Sequence, residues 1–292
     1  MPIPLGIFAV AGAGSGAIVG VAGYFGGGGG SSSIDIFAFP SDTRSTGPTF
    51  SATREGSGGS SNAAVAGYFG GGVTGGSSST RIDKITFPSN TLSVFGTGLS
   101  YATGYCGGLS NTSVAGYVFG GNTNKISKIA FPSETVSLLA ATLSTSPSLG
   151  NPGMSNQATA GYMHNGGNTQ VDKLAFPAET KTTLGTGLPS LEFVAAMANT
   201  GTAGYFGGGY AGGAQSAVYK YTFPSDTRTT LGTGLSSNRE QGAGNNNKDV
   251  AGYLGGNGTT VDKFAFPSDT RSTLATGFSS SRQRPGAMAN AL

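Results

Sequence analysis

Apolar and polar positions along this chain follow one short pattern that recurs six times. An unbroken apolar run is built on Ala-Gly-Tyr, with tyrosines at Tyr24, Tyr68, Tyr117, Tyr162, Tyr205 and Tyr253, 43 to 49 residues apart. Each run is followed by an alternating segment ending in Phe-Pro, with phenylalanines at Phe39, Phe87, Phe131, Phe176, Phe223 and Phe266. A period of this length marks one supersecondary unit copied along the chain. In the copy from Arg239 to Ser280, Val250–Leu254 reads as a strand ending at Gly255-Gly256. Val261, Phe264 and Phe266 then give the rough alternation of a half-buried strand. Pro267-Ser-Asp-Thr270 is turn chemistry, because proline fixes φ and aspartate bonds nearby backbone N–H groups. Thr273 to Thr276 starts a fourth strand, and the small-residue stretch before Ala-Gly-Tyr supplies the remaining one, as in Gly286-Ala-Met-Ala-Asn290.

Four antiparallel strands per unit, six units and tight turns predict an all-β fold: a six-bladed β-propeller with four antiparallel strands per blade. An open solenoid is the alternative. Strand-like sequence precedes the first copy (Ile7 to Gly14) and follows the last (Gly286 to Leu292), so either end is able to complete a shared blade. The domain reading is therefore 1–15 as an extended N-terminal segment, for docking or ring closure, and 16–292 as the propeller.

Composition sharpens this picture. Fifty-three glycines and 10% charged residues would suit low complexity, but the glycines keep phase with the repeat and 37% of residues are apolar. The net charge of +3 is scattered, without the basic stripe of a nucleic-acid binder. The first 34 residues carry no charge, yet no Lys or Arg precedes the apolar stretch and glycines dilute it, so neither a secretory signal nor a membrane span is expected.

Catalytic chemistry is hard to place. Cys106 is the only cysteine and His164 the only histidine, which leaves no metal-binding spacing. His164 is expected as a partly exposed residue at a strand end. Asp42, Glu134, Glu179, Asp226 and Asp269 recur at one turn position, and Asp35, Asp83, Asp172 and Asp262 at one strand position. Recurrence points to turn stabilisation, since an opposed catalytic carboxylate pair would break the repeat. Gly26 to Gly30 lacks the Gly-Lys-Ser/Thr ending of a phosphate loop. No catalytic residue, metal or cofactor is expected.

Loop lengths say more. From each Phe-Pro phenylalanine to the next repeat tyrosine there are 29 to 31 residues, but from each tyrosine to its own Phe-Pro there are 13 to 19. Length variation is thus confined to the loop between second and third strands, which antiparallel topology puts on the same face as the blade-to-blade connections. Variable loops on a constant scaffold are where binding specificity resides. Thr74, Ser79, Arg81, Asn122, Asn124, Asn168, Gln170, Tyr210, Gln215 and Asn257 are the candidate ligand-binding residues, adaptable polar groups with one tyrosine added.

The order of features (Arg239, then Tyr253-Leu-Gly-Gly256, then Val261 to Phe266 and Ser268-Asp-Thr270) resembles the kelch repeat. The chain departs from kelch in having no tryptophan; Leu184, Leu231 and Leu274 stand in its place in the fourth strand. Ala-Gly-Tyr-Phe-Gly-Gly, Asp-Lys and Phe-Pro-Ser-Asp-Thr also resemble repeats in virion structural proteins of tailed phages, notably cyanophages, as does the opening Met1-Pro-Ile-Pro-Leu-Gly. That resemblance implies a non-enzymatic particle component, tail- or fibre-associated. It would meet other virion proteins through the N-terminal segment and a host surface glycan or protein through the loops. Nucleic acid and membrane insertion are not among its expected partners. Its implied location is the virion, with an extracellular or cytoplasmic carbohydrate-binding or protein-interaction scaffold of kelch type as the alternative.

Overall fold

The computed structural model describes residues 21–147 and 149–290. Each copy of the repeat folds into a four-stranded antiparallel sheet, and no helix occurs among the described residues. Blade 2 is Gly58–Asn62, Ala66–Gly70, Ile82–Thr86 and Thr91–Val94. Blade 3 is Gly107–Asn111, Ala115–Phe119, Ile126–Ala130 and Thr135–Leu138. Blade 4 is Gly153–Asn156, Ala160–His164, Val171–Ala175 and Thr180–Thr183. Blade 5 is Ala195–Asn199, Ala203–Gly207, Val218–Thr222 and Thr227–Thr230, and blade 6 is Gly242–Asn247, Ala251–Gly256, Val261–Ala265 and Thr270–Thr273.

Blade 1 draws on both ends of the chain. Gly286–Ala289 pairs with Ala22–Gly26, which pairs with Ile34–Ala38 and then Thr43–Thr46. The inner strand of each blade touches those of its two neighbours, and the C-terminal strand makes the series circular. The protein is therefore a six-bladed propeller, and the closing strand is C-terminal. The docking or closing role expected of residues 1–15 falls outside the described residues.

The Ala-Gly-Tyr strand lies second in every blade, with a strand on either side and a blade against each face. All its residues are buried, so it reads as an unbroken apolar run. The outer strands are mostly exposed and rich in threonine. Glycine at the middle of Ala-Gly-Tyr has a packing cause. A Cβ on Gly161 would stand 2.6 Å from Leu109 Cδ2, and one on Gly23 would stand 2.5 Å from Asn245 Oδ1. In every blade this glycine makes room for a side chain from the inner strand of the preceding blade: Met288, Ser60, Leu109, Met154, Met197 or Asn245.

The tyrosine that follows clasps the next blade. Tyr162 Oη donates to Asp226 at 2.7 Å, Lys173 Nζ lies 2.7 Å from the other oxygen of the same carboxylate, and the Tyr162 ring stacks on Phe223 at 4.9 Å. The same trio recurs as Tyr205–Asp269–Lys220 and Tyr253–Asp42–Lys263, with phenylalanines Phe266 and Phe39. Glu134 and Glu179 serve blades 3 and 4 in the same way. The turn acids are thus structural, as recurrence implies, but their side chains bind the preceding blade rather than only their own turn. Blade 1 has Ile36 where the lysine stands elsewhere, and the residue facing it on blade 2 is neutral Asn90, which accepts from Tyr24 Oη at 2.7 Å. Cation and anion are lost together, so neither is left half-buried and unpaired. Asp226→Ala is expected to cost about 2 kcal/mol, the loss of two charge-assisted bonds at a partly exposed site. In the Lys173→Ile background Asp226→Asn should cost less than in the native one, as double-mutant urea melts would show.

The strand acids make a second system inside each blade. Arg282 and Asp35 are both fully buried and lie 2.9 Å apart, and Arg239 lies 3.2 Å from Asp262. Arg54 pairs with Asp83 in the same manner. Each arginine precedes the inner strand and reaches the third strand of its own blade. Blades 3 and 5 lack both partners, having Thr103 with Ser127 and Leu191 with Tyr219. Blade 4 keeps Asp172 without an arginine, and there Asn165 replaces the glycine found at 27 and 71. Its amide donates to Asp172 at 3.0 Å and to Ser144 at 2.9 Å.

Candidate functional site

Backbone bridges place the variable loops and the blade-to-blade connections on one face, as antiparallel topology requires. Glu55 pairs with Val73, Ser79 with Thr103, Glu192 with Tyr210, Gln215 with Arg239 and Gly258 with Arg282. The Phe-Pro turns lie on the opposite face. In the longest loop Val73–Thr74 and Ser77–Ser78 form a small hairpin of their own.

At the axis this face closes around six residues, one per blade, each twelve positions before its repeat tyrosine or at the equivalent place before Met288. They are Gly56, Tyr105, Gly150, Phe193, Gln241 and Arg284, and all are left-handed, with φ between 52° and 67°. Backbone bonds link four of them in series: Gln241 N to Phe193 O (3.0 Å), Arg284 N to Gln241 O (2.8 Å) and Gly56 N to Arg284 O (2.7 Å). The left-handed turn is what lets each connection drop into its inner strand. Four non-glycine residues held there represent backbone strain that the surrounding pairing sustains.

The side chains of this ring converge. The Arg284 guanidinium carbon lies 4.8 Å from the ring centres of both Tyr105 and Phe193. Glu55 accepts from Arg284 Nη1 at 2.9 Å and from Tyr105 Oη at 3.0 Å. Burial and the Glu55 acceptor together raise the Tyr105 hydroxyl above its ordinary pKa. The mouth opens to solvent and is lined also by Ser57, Cys106 and Asn151. Ser57 Oγ and Gln241 Oε1 are buried atoms without a hydrogen-bond partner. At the other end of the axis the wall is neutral, with Ser110 Oγ and Ser155 Oγ accepting from the backbone N–H groups of Ser61 and Ser110, both at 2.8 Å.

The ten loop residues singled out from sequence all lie on the variable-loop face, but not in one cluster. Asn122, Tyr210 and Asn257 are exposed; Thr74, Ser79, Arg81, Asn124, Asn168, Gln170 and Gln215 are half-buried. Several shape their own loops: Ser79 Oγ accepts from Arg81 N (3.0 Å), Asn168 Nδ2 donates to Gly166 O (3.4 Å), and Gln215 Nε2 donates to Gly213 O (2.8 Å). The backbone of Tyr210 pairs in both directions with Glu192, next to Phe193 of the axial ring. Sequence reasoning missed the axial ring. Its signal is positional rather than chemical, a fixed count back from each tyrosine.

His164 is a correction. It does end its strand, Ala160–His164, but it is fully buried rather than partly exposed. Its strand lies second in the blade, and the side chain packs near Phe206 while Nε2 donates to the Asn168 carbonyl at 3.0 Å. Burial lowers its pKa from 6.5 to about 4. Above pH 6.5 both folded and unfolded chains carry it neutral. As pH falls from 6.5 toward 4 only the unfolded chain takes the proton, so stability is lost across that window, by about 3 kcal/mol in all. His164→Phe, which places there the residue that blade 3 has as Phe119, should flatten stability between pH 6.5 and 4 in urea melts. Asp172 acts lower: burial alone would raise its pKa, but bonds from Thr183, Ser144 and Asn165 outweigh that and hold it below 3.8.

Cys106 is buried, and burial raises its thiol to about 11, away from nucleophilic use. Among the described residues no group of three or more His, Cys, Asp or Glu is placed to hold a metal ion. No helix among them is long and apolar enough to cross a membrane. No protein-family model matches the chain, and comparison with curated proteins finds no match.

Proposed function

We propose that this protein is a non-enzymatic structural or host-attachment component of a tailed-phage virion, associated with the tail or its fibres. The face bearing the variable loops is its contact surface, for a host surface glycan or protein. The observation that carries this is the division of labour between the two faces. Residues shared by all copies are spent holding blades together, while the loops that differ in length lie on one face. The resemblance of the repeat to virion proteins supplies the particle. Thr74, Asn122, Tyr210 and Asn257 are the loop positions offered for contact, and the uncharged residues 2–15 are offered as the attachment to neighbouring virion proteins.

Mass spectrometry of purified particles tests the location: the protein is expected at fixed stoichiometry, and its recovery only as a soluble cellular species would overturn the assignment. Removing residues 2–15 should release it from the particle without lowering its melting temperature. Shortening the Gly72–Arg81 and Gly209–Ala217 loops should abolish attachment to host cells while assembly continues.

A cellular scaffold of kelch type is the second reading. The buried arginines that precede the inner strands of blades 1, 2 and 6 stand where the kelch order of features has its arginine.

A further inference from the structure

Three side-chain atoms at the axial mouth are buried without a hydrogen-bond partner, and they lie on successive blades. Gln241 Oε1 is on the connection into blade 6, Arg284 Nε on that into blade 1, and Ser57 Oγ on that into blade 2. Backbone bonds from Arg284 N to Gln241 O and from Gly56 N to Arg284 O hold these connections side by side. All three residues line the same cavity, and Ser57 is only 5% exposed. A buried polar group left unpaired is costly, so a row of three marks a place where a ligand supplies the partners.

Their chemistry restricts what that ligand is. An arginine N–H only donates, an amide oxygen only accepts, and a serine hydroxyl does both. Among the described residues Arg284 is the one charged side chain lining the cavity, and Glu55 neutralises it at 2.9 Å. No net charge is left to hold an ion. An anion would face the Gln241 oxygen, and an ammonium would face the Arg284 guanidinium. An apolar group would leave all three atoms unpaired. A hydroxyl donates and accepts through one oxygen, so neighbouring hydroxyls satisfy the whole row. Gly58, Gly107 and Gly153 give the wall backbone without side chains, while Tyr105 and Phe193 add apolar ring surface for C–H groups.

We propose that the axial mouth on the variable-loop face binds a neutral sugar residue. Its hydroxyls accept from Arg284 Nε, donate to Gln241 Oε1 and share a hydrogen bond with Ser57 Oγ, while its C–H groups pack on Tyr105 and Phe193. Arg284 keeps its pairing with Glu55, because that bond uses Nη1 and leaves Nε free. The proposal rests on the contact-face reading above and narrows it to a glycan held at the axis.

Saturation-transfer NMR of the purified full-length protein tests it. The methyl glycosides of glucose, galactose, mannose and N-acetylglucosamine are the neutral sugar probes, glucuronate a charged one, and N-acetylglutamine methylamide a protein-like one. At least one methyl glycoside is expected to bind, with an affinity that changes less than about twofold in about 0.5 M salt, since no net charge is recognised. The Ser57→Ala/Gln241→Leu double variant should bind it at least about tenfold more weakly, the loss of two hydrogen bonds. Thermal melts check that the variant is folded; if it is not, the single variants are read, each expected to bind about threefold more weakly. Thr229→Ala, on the exposed outer strand of blade 5, should bind like the native protein. Glucuronate bound more tightly than every glycoside, the amide probe bound without any glycoside, folded variants that bind like the native protein, or no binding by any probe would overturn the proposal. Such a result removes the sugar site alone, because attachment to host cells by the loops is measured separately on particles.

Discussion

Gly108→Val is expected to abolish cooperative folding. Gly108 lies on the inner strand of blade 3, where six strands crowd around the axis. A Cβ there would sit 2.6 Å from the backbone nitrogen of Gly59 and 2.7 Å from its carbonyl carbon. These are main-chain atoms of the neighbouring inner strand, so no rotamer change relieves the clash. Overpacking against side chains costs roughly 1–3 kcal/mol, and against paired backbone the cost should exceed about 4 kcal/mol, a large part of the stability of an ordinary domain. Urea unfolding followed by circular dichroism gives the number. Gly232→Val is the control: a Cβ there meets nothing within 4 Å, and its midpoint should match the native one to within about 0.5 kcal/mol. A Gly108→Val protein that melts like the native one would mean that the inner strands stand further apart than described.

Arg282→Leu is the second large effect, expected to cost about 3–5 kcal/mol. Arg282 donates to Asp35 (3.0 Å), to the carbonyls of Gly27 (2.6 Å) and Ser33 (2.9 Å), and to Ser33 Oγ (2.9 Å), all within blade 1. It therefore fastens the last connection of the chain to the first sheet. Removing it leaves Asp35, fully buried, with its main counter-charge gone, and the Gly27 and Ser33 carbonyls without this donor. The chain itself indicates the repair. Blade 5 has leucine and tyrosine at these two places, Leu191 and Tyr219, and the pair is absent without replacement by another ion pair. Arg282→Leu/Asp35→Tyr should regain more than half of the loss in equilibrium urea melts. Equal stability of single and double variants would show that Asp35 does not depend on Arg282.

How much of this was legible in the sequence depends on whether a residue repeats. The six blades and their four strands follow from Ala-Gly-Tyr and Phe-Pro, because a copied unit must bury the same positions each time. Confinement of length variation to one face follows from arithmetic on the same landmarks. The partners of the turn acids were not legible: Tyr162 and Asp226 are 64 residues apart, and an aspartate after Phe-Pro-Ser satisfies turn chemistry without any distant partner. The paired exception, Ile36 with Asn90, is the signal that they interact. His164 was misplaced because its position holds glycine in four blades and phenylalanine in a fifth, a mixture that looks like a surface position. Both serve packing in fact, small where a neighbour intrudes and large where it does not. The axial ring was invisible for the opposite reason. Glycine, tyrosine, phenylalanine, glutamine and arginine share only a left-handed backbone, which residue type does not reveal.

Everything proposed for the loop face presumes a ring closed by the C-terminal strand. Amide hydrogen exchange of the intact protein measures that closure directly. Gly286–Ala289 and its partner Ala22–Gly26 should exchange as slowly as the inner and second strands of the other five blades. Rapid exchange confined to those two segments, with the rest protected, would contradict the closed ring.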